Sequence, residues 1–188
     1  MKRLSFWFDP ISPFAYLAFE RLPDALQGCS YEVVYRPLLF AGLLKHWGHK
    51  GPAEIEPKRE WTFRHVRWLA QQHGIAFEMP AAHPFNPLGL LRLAIAAGPN
   101  RRVVEAVFRH VWLGGADAAD PARLALLAQQ LAPAHDPQGE DVKLALRQAT
   151  QEALAAGVFG VPTLVLDGVN YWGLDALPMV AEALRRGD

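Results

Sequence analysis

Cysteine is almost missing from this chain of 188 residues, in which Cys29 stands alone. A single thiol cannot close an intramolecular disulfide or build a cysteine-based zinc site. Excess charge is missing too. Lys+Arg and Asp+Glu each number 19, so no global field draws the chain to nucleic acid or to an anionic membrane. No apolar run approaches the ~20 residues that span a bilayer. Met1-Lys2-Arg3 leads into a short strand-like run with Asp9 and two prolines, not into the apolar stretch of a secretory signal. The expectation is a cytoplasmic protein with neither nucleic acid nor membrane as partner. The seven histidines offer no His-x-x-x-His pair on one helix with a third ligand, so no metal is expected. Apolar residues, by contrast, are plentiful. They make up 51% of the chain against 20% charged, enough for one domain, or one domain with a sizeable insertion.

Residues 3–8 are β-rich, and 31–35 (Tyr-Glu-Val-Val-Tyr) form a second strand. Between them, Phe14, Leu17, Ala18, Leu22 and Leu26 recur at helical spacing over a helix at 14–25. This βαβ unit implies a parallel strand pair with a right-handed crossover. From Leu39 to Gly157 the pattern is helical, with helices expected at 40–47, 58–73, 87–97, 101–112, 121–131 and 139–156. Glycine and proline clusters at 48–52, 80–84, 98–99, 114–115 and 133–137 separate them. Strands return at 163–166 and 169–172 around Asp167-Gly168, a strong hairpin signal. A helix over 177–186 closes the chain. The order β-α-β, helical segment, β-β-α predicts an α/β fold with a thioredoxin-like core, residues 1–38 and 158–188, interrupted by an all-helical insertion over 39–157.

In such a core the first strand ends at the N-terminus of the first helix, where redox proteins carry Cys-x-x-Cys. Here the sequence is Asp9-Pro10-Ile11-Ser12-Pro13-Phe14. Ser12 sits at the cap position, with Pro13 at the first helical place. As a cap alone it contributes about 1 kcal/mol. The functional alternative is that its hydroxyl donates to a bound thiolate. A thiol with a pKa of about 8.5 is only a few per cent ionised at neutral pH. A helix N-terminus stabilises an anion by up to ~2 kcal/mol in a partly buried geometry, which lowers that pKa by roughly a unit or more. A charge-assisted hydrogen bond adds to this. The second motif is Phe159-Gly160-Val161-Pro162-Thr163. Its proline is either a helix stop or the cis X-Pro of a thioredoxin-like protein. In the second case Val161 faces the first helix N-terminus and offers its N–H and C=O to an extended, peptide-like ligand.

The chain resembles the 2-hydroxychromene-2-carboxylate isomerases, which group with kappa-class glutathione transferases in the DsbA-like branch of the thioredoxin fold. The matching segments run in order over nearly the whole chain. They begin with Phe8-Asp9-Pro10-Ile11-Ser12-Pro13-Phe14-Ala15-Tyr16 and Arg36-Pro37-Leu38-Leu39. Gly48-His49-Lys50-Gly51-Pro52, Pro57-Lys58-Arg59 and His83-Pro84-Phe85-Asn86 follow. Phe159-Gly160-Val161-Pro162-Thr163 and Tyr171-Trp172-Gly173-Leu174-Asp175 complete the set. The resemblance implies that the thiol belongs to glutathione, with Ser12 holding its sulfur and Lys58 pairing with its glycyl carboxylate. Val161, ahead of Pro162, would bond the cysteinyl backbone, and Asp175, at the start of the last helix, the γ-glutamyl ammonium. Three positions depart from the family pattern Gly-Asn-Lys-Pro-Pro and Ser/Asn-Asp. His49 replaces an asparagine that contacts the ligand, Gly51 replaces a proline, and Leu174 leaves only its backbone for the γ-glutamyl end.

His83 and Asn86, on a proline-flanked loop, are candidates for a substrate carboxylate or hydroxyl. Phe14, Phe40, Phe85, Trp112 and Trp172 are either pocket lining or core, and Cys29, after a Gly28 turn, reads as structural. The resemblance implies a glutathione-dependent isomerase of hydroxychromene carboxylates in aromatic degradation. It would act on a small aromatic substrate by transient thiolate addition, and family members are often homodimers. The alternatives are a kappa-type transferase or peroxidase and, from another class, a non-catalytic thiol- or peptide-binding module. A disulfide oxidoreductase is close to excluded, because Cys29 has no partner.

Overall fold

The computed structural model describes residues 1–186. Its sheet has four strands in the order β2-β1-β3-β4, with β1 at Lys2–Phe8, β2 at Tyr31–Pro37, β3 at Thr163–Leu166 and β4 at Val169–Trp172. β1 pairs with β2 in parallel and with β3 antiparallel, and β3 with β4 antiparallel. This is the thioredoxin-like α/β arrangement expected from the strand order. α1 (Pro13–Ala25) makes the crossover from β1 to β2. α2 (Phe40–Trp47), α3 (Glu56–Gln72), α4 (Leu88–Ala96), α5 (Arg101–Trp112), α6 (Pro121–Leu131) and α7 (Glu140–Ala155) lie between β2 and β3, and α8 (Leu177–Arg186) follows β4. Among the described residues no helix is long and apolar enough to cross a membrane.

The central strand β1 is buried on both faces, as strands covered on two sides are. Leu4, Phe6 and Phe8 point into the larger core, with Tyr16 and Phe19 of α1 and Phe108 and Trp112 of α5. Phe108 is the hub, with ring centroids 5.3 Å from both Phe8 and Phe19. On the opposite face Trp7 joins Leu38, Leu43, Ala153, Val158 and Val161 in a second core under α2 and α7. The site therefore forms where β1 leaves the sheet between these two cores.

The local signals act as expected at the hairpin, where Asp167 and Gly168 both take positive φ, 50° and 79°, the combination a two-residue primed turn requires. Two differences from the expected boundaries bear on the site. α3 begins at Glu56, because Pro57 is tolerated in the first turn of a helix, so Lys58 lies in that first turn. Asp175 does not start α8; it belongs to a separate 3-10 turn, Leu174–Ala176, that precedes it.

Candidate active site

The turn from β1 into α1 is tied at almost every polar atom. Asp9 is fully buried, and its two carboxylate oxygens accept from the N–H groups of Ile11 (3.0 Å) and Phe40 (2.9 Å). Burial pushes its pKa up from 3.8 to about 7, against the opposing pull of those two N–H donors. The Asp9 carbonyl accepts from Ser12 N–H at 3.1 Å. The Pro10 carbonyl accepts from Trp112 Nε1 at 3.0 Å, and the Ile11 carbonyl meets His83 Nε2 at 2.8 Å. Ser12 caps α1, its Oγ accepting from Ala15 N–H at 3.2 Å, with Pro13 following in the first turn. The same hydroxyl donates to the Val161 carbonyl at 3.4 Å, bridging 149 positions of sequence.

Val161–Pro162 is a cis peptide, and the Ser12–Val161 bond sets the two expected motifs side by side. The N–H of Val161 makes no hydrogen bond among the described residues, while the Pro162 carbonyl accepts from Gly173 N–H at 2.9 Å. The Trp172 indole packs against Gly160: a Cβ there would sit 2.5 Å from Trp172 Nε1. Gly173 takes φ 99° and passes so close beneath Asp175 that a Cβ would sit 2.5 Å from Oδ1.

Between these segments and α3 lies a cavity of about 640 Å³, within the usual range for small-molecule sites. Phe14, Ala25, Leu69, Trp172, Leu174, Leu177 and Pro178 give it apolar walls, and Val161, the partner of Ser12, lines it with Pro162. Arg21, His65, His73 and Asp175 are its ionisable groups. Arg21 also approaches Asp24 at 3.5 Å.

The structure thus brings Ser12, Val161, Pro162, Leu174, Asp175, Phe14 and Trp172 to one place. Lys58 and His49 are exposed, on the first turn of α3 and just after α2, and neither lines the cavity. Asn86 is exposed, its Oδ1 accepting from Leu88 N–H at 3.0 Å where α4 begins. Trp112 is core, fully buried, and Phe40 packs against the second core. Phe85 packs against the larger core, and Cys29 is half-buried with Sγ 3.9 Å from the Ala181 carbonyl. Arg21, His65 and His73 escaped sequence reading. A signal existed, since Phe14, Arg21 and Ala25 share one face of α1, and His65, Leu69 and His73 one face of α3.

The DSBA-like thioredoxin domain matches residues 3–185. A 2-hydroxychromene-2-carboxylate isomerase of Pseudomonas putida is 30% identical, covering 97% of this chain and 94% of that protein. The same-named protein of Sphingobium xenophagum is 28% identical over 97% and 98%. Glutathione S-transferase kappa 2 of Caenorhabditis elegans is 27% identical over 97% and 92%. A solved 2-hydroxychromene-2-carboxylate isomerase superposes with a TM-score of 0.86 at 26% identity, covering 98% and 95%. The chain is an enzyme that belongs to the DSBA-like thioredoxin domain family, among relatives that are 2-hydroxychromene-2-carboxylate isomerases and kappa-class glutathione transferases.

Proposed function

We propose that this enzyme is a glutathione-dependent isomerase of 2-hydroxychromene-2-carboxylate-type substrates, opening them to the trans benzylidenepyruvate in aromatic hydrocarbon degradation. One observation carries the reading: a serine hydroxyl at a helix N-terminus, 3.4 Å from the carbonyl of a cis-proline dipeptide, beside an apolar cavity. A protein whose own thiol did the work would have a cysteine in that turn, and this one has Ser12.

The residues present fit glutathione. Val161 N–H has no partner among the described residues, which suits the cysteinyl backbone, and Ser12 stands beside it for the sulfur. Asp175 in the cavity wall suits the γ-glutamyl ammonium, with the Leu174 backbone next to it. Lys58 and His49, exposed on neighbouring elements, would take the glycyl carboxylate. When bound, glutathione supplies a thiolate whose reversible addition to a conjugated double bond permits rotation about it. The chain's part is to keep that sulfur ionised through Ser12 and the α1 terminus, to hold an aromatic ring against Phe14, Leu69 and Trp172, and to offer Arg21 to a carboxylate. The same reading extends to a cytoplasmic homodimer.

The relatives named as kappa transferases support a second reading, attack on an electrophile or peroxide from the same site. Calorimetric titration with glutathione, followed by assay of a hydroxychromene carboxylate with and without it, separates these. Glutathione-stimulated isomerisation is expected. Binding with turnover of electrophiles or peroxides alone would favour the transferase. Absence of binding at millimolar glutathione would remove the basis of both.

A further inference from the structure

His83 is a half-buried titratable group that does not line the cavity. It stands on the loop between α3 and α4, its ring edge-on to Phe63 at 4.9 Å and to Phe85 at 5.9 Å, and tilted against Trp112 at 5.9 Å. Its Nε2 lies 2.8 Å from the Ile11 carbonyl. A carbonyl only accepts, so Nε2 carries the hydrogen and Nδ1 of the neutral ring is a bare acceptor. Nδ1 is buried without a partner. A phenylalanine would fill the same aromatic niche with no orphaned nitrogen, so packing alone does not account for a histidine here. What the histidine adds is the bond to Ile11.

The Ile11–Ser12 peptide is one rigid plane. His83 holds its carbonyl end, and the Asp9 carbonyl holds its N–H end at 3.1 Å. Bonds at both ends of a plane restrain the torsions on either side, Ile11 ψ and Ser12 φ. Ser12 φ is −89° and ψ 116°, and these angles aim its Oγ between Ala15 N–H and the Val161 carbonyl.

We infer that His83 is a positioning residue for Ser12: its Nε2–H pins the Ile11–Ser12 peptide plane and thereby the direction in which the Ser12 hydroxyl meets a ligand sulfur. This differs from the substrate contact expected from sequence, because Nε2 is already engaged and Nδ1 is buried. The role rests on the glutathione reading for the identity of the sulfur, but not for the restraint on the turn. Burial lowers the His83 pKa, with Arg59 acting in the same direction and the Ile11 carbonyl opposing, which favours the neutral ring the geometry requires.

Two variants separate the N–H from the ring. His83→Phe keeps the packing and deletes the donor, and His83→Gln places an amide N–H near the position of Nε2. Two readouts apply: ultraviolet titration of the thiolate in the glutathione complex, and hydrogen exchange of the Ser12 amide in the unliganded protein. H83F is expected to raise the bound thiol pKa by about one unit and to speed Ser12 exchange by about tenfold. H83Q is expected to stay near wild type in both. Unchanged H83F, or an H83Q as impaired as H83F, would overturn the role. If wild type binds no glutathione, the glutathione reading fails, while Ser12 exchange in the two variants still decides whether His83 pins the turn.

Discussion

The two sides of the candidate site are built differently. On the Ser12 side, the carbonyls of Asp9, Pro10 and Ile11 each have a partner, supplied by Ser12 N–H, Trp112 and His83. On the facing side, Trp172 is 56% exposed, and Asp175 is exposed as well. A tied turn fixes one hydroxyl in one direction before any ligand arrives, which is what electrostatic stabilisation of an anion requires. The facing wall invests little in the fold and leaves polar groups for a ligand to satisfy. Substitutions should therefore divide: on the first side they damage the fold and through it the chemistry, on the second they damage binding alone.

The sharpest way to break this comparison is Trp112→Ala. It empties a fully buried site and leaves the Pro10 carbonyl unbonded, so a loss of about 4 kcal/mol in urea unfolding is expected. A loss below about 1 kcal/mol, the range of ordinary surface substitutions, would mean the turn is not held by α5.

Asp9 sharpens it through pH. Its folded pKa of about 7 lies above its ordinary value of 3.8. Between these values the unfolded chain has lost the proton while the folded one keeps it, so stability falls as pH rises. Above pH 7 both forms are ionised and the full cost of the buried charge is present. From this group the fall between pH 4 and 7 is on the order of 4 kcal/mol if the whole shift is realised. Asp9→Asn should flatten that part of the stability profile, and an equally steep profile would contradict it.

On the facing wall, Asp175→Asn should weaken glutathione binding by about tenfold in calorimetry, through loss of a charge-assisted bond. It should move stability by no more than about 0.5 kcal/mol. Trp172→Ala should cost no more than about 1 kcal/mol of stability, while weakening ligand binding several-fold. A large loss of stability at either position would erase the distinction between the two sides.

Much of the fold was legible because its signals are local. Ser12-Pro13 at a strand end, Asp167-Gly168 between apolar runs and Val161-Pro162 before a strand each specify their own geometry. What could not be read depends on packing across long separations. Arg21 looks like a solvated helix residue until α3 is laid beside α1 and a cavity opens between them. Asp9 reads as the end of a strand, and only the arrival of Phe40 N–H from α2 makes it a buried brace. His83 was visible as a loop histidine, but its partner lies 72 positions away. Asp175 was legible as a residue near the last helix, while the 3-10 turn that carries it follows from Gly173 turning the chain at φ 99°.

The central claim is that the Ser12 turn stabilises a sulfur anion that the chain itself does not contain. Ultraviolet titration of the glutathione complex tests this most directly, comparing wild type with Ser12→Ala. The account predicts that bound thiol ionises below its ordinary pKa of about 8.5 in wild type and about one unit higher in S12A. Identical titration curves for the two proteins, with glutathione bound to both, would contradict it.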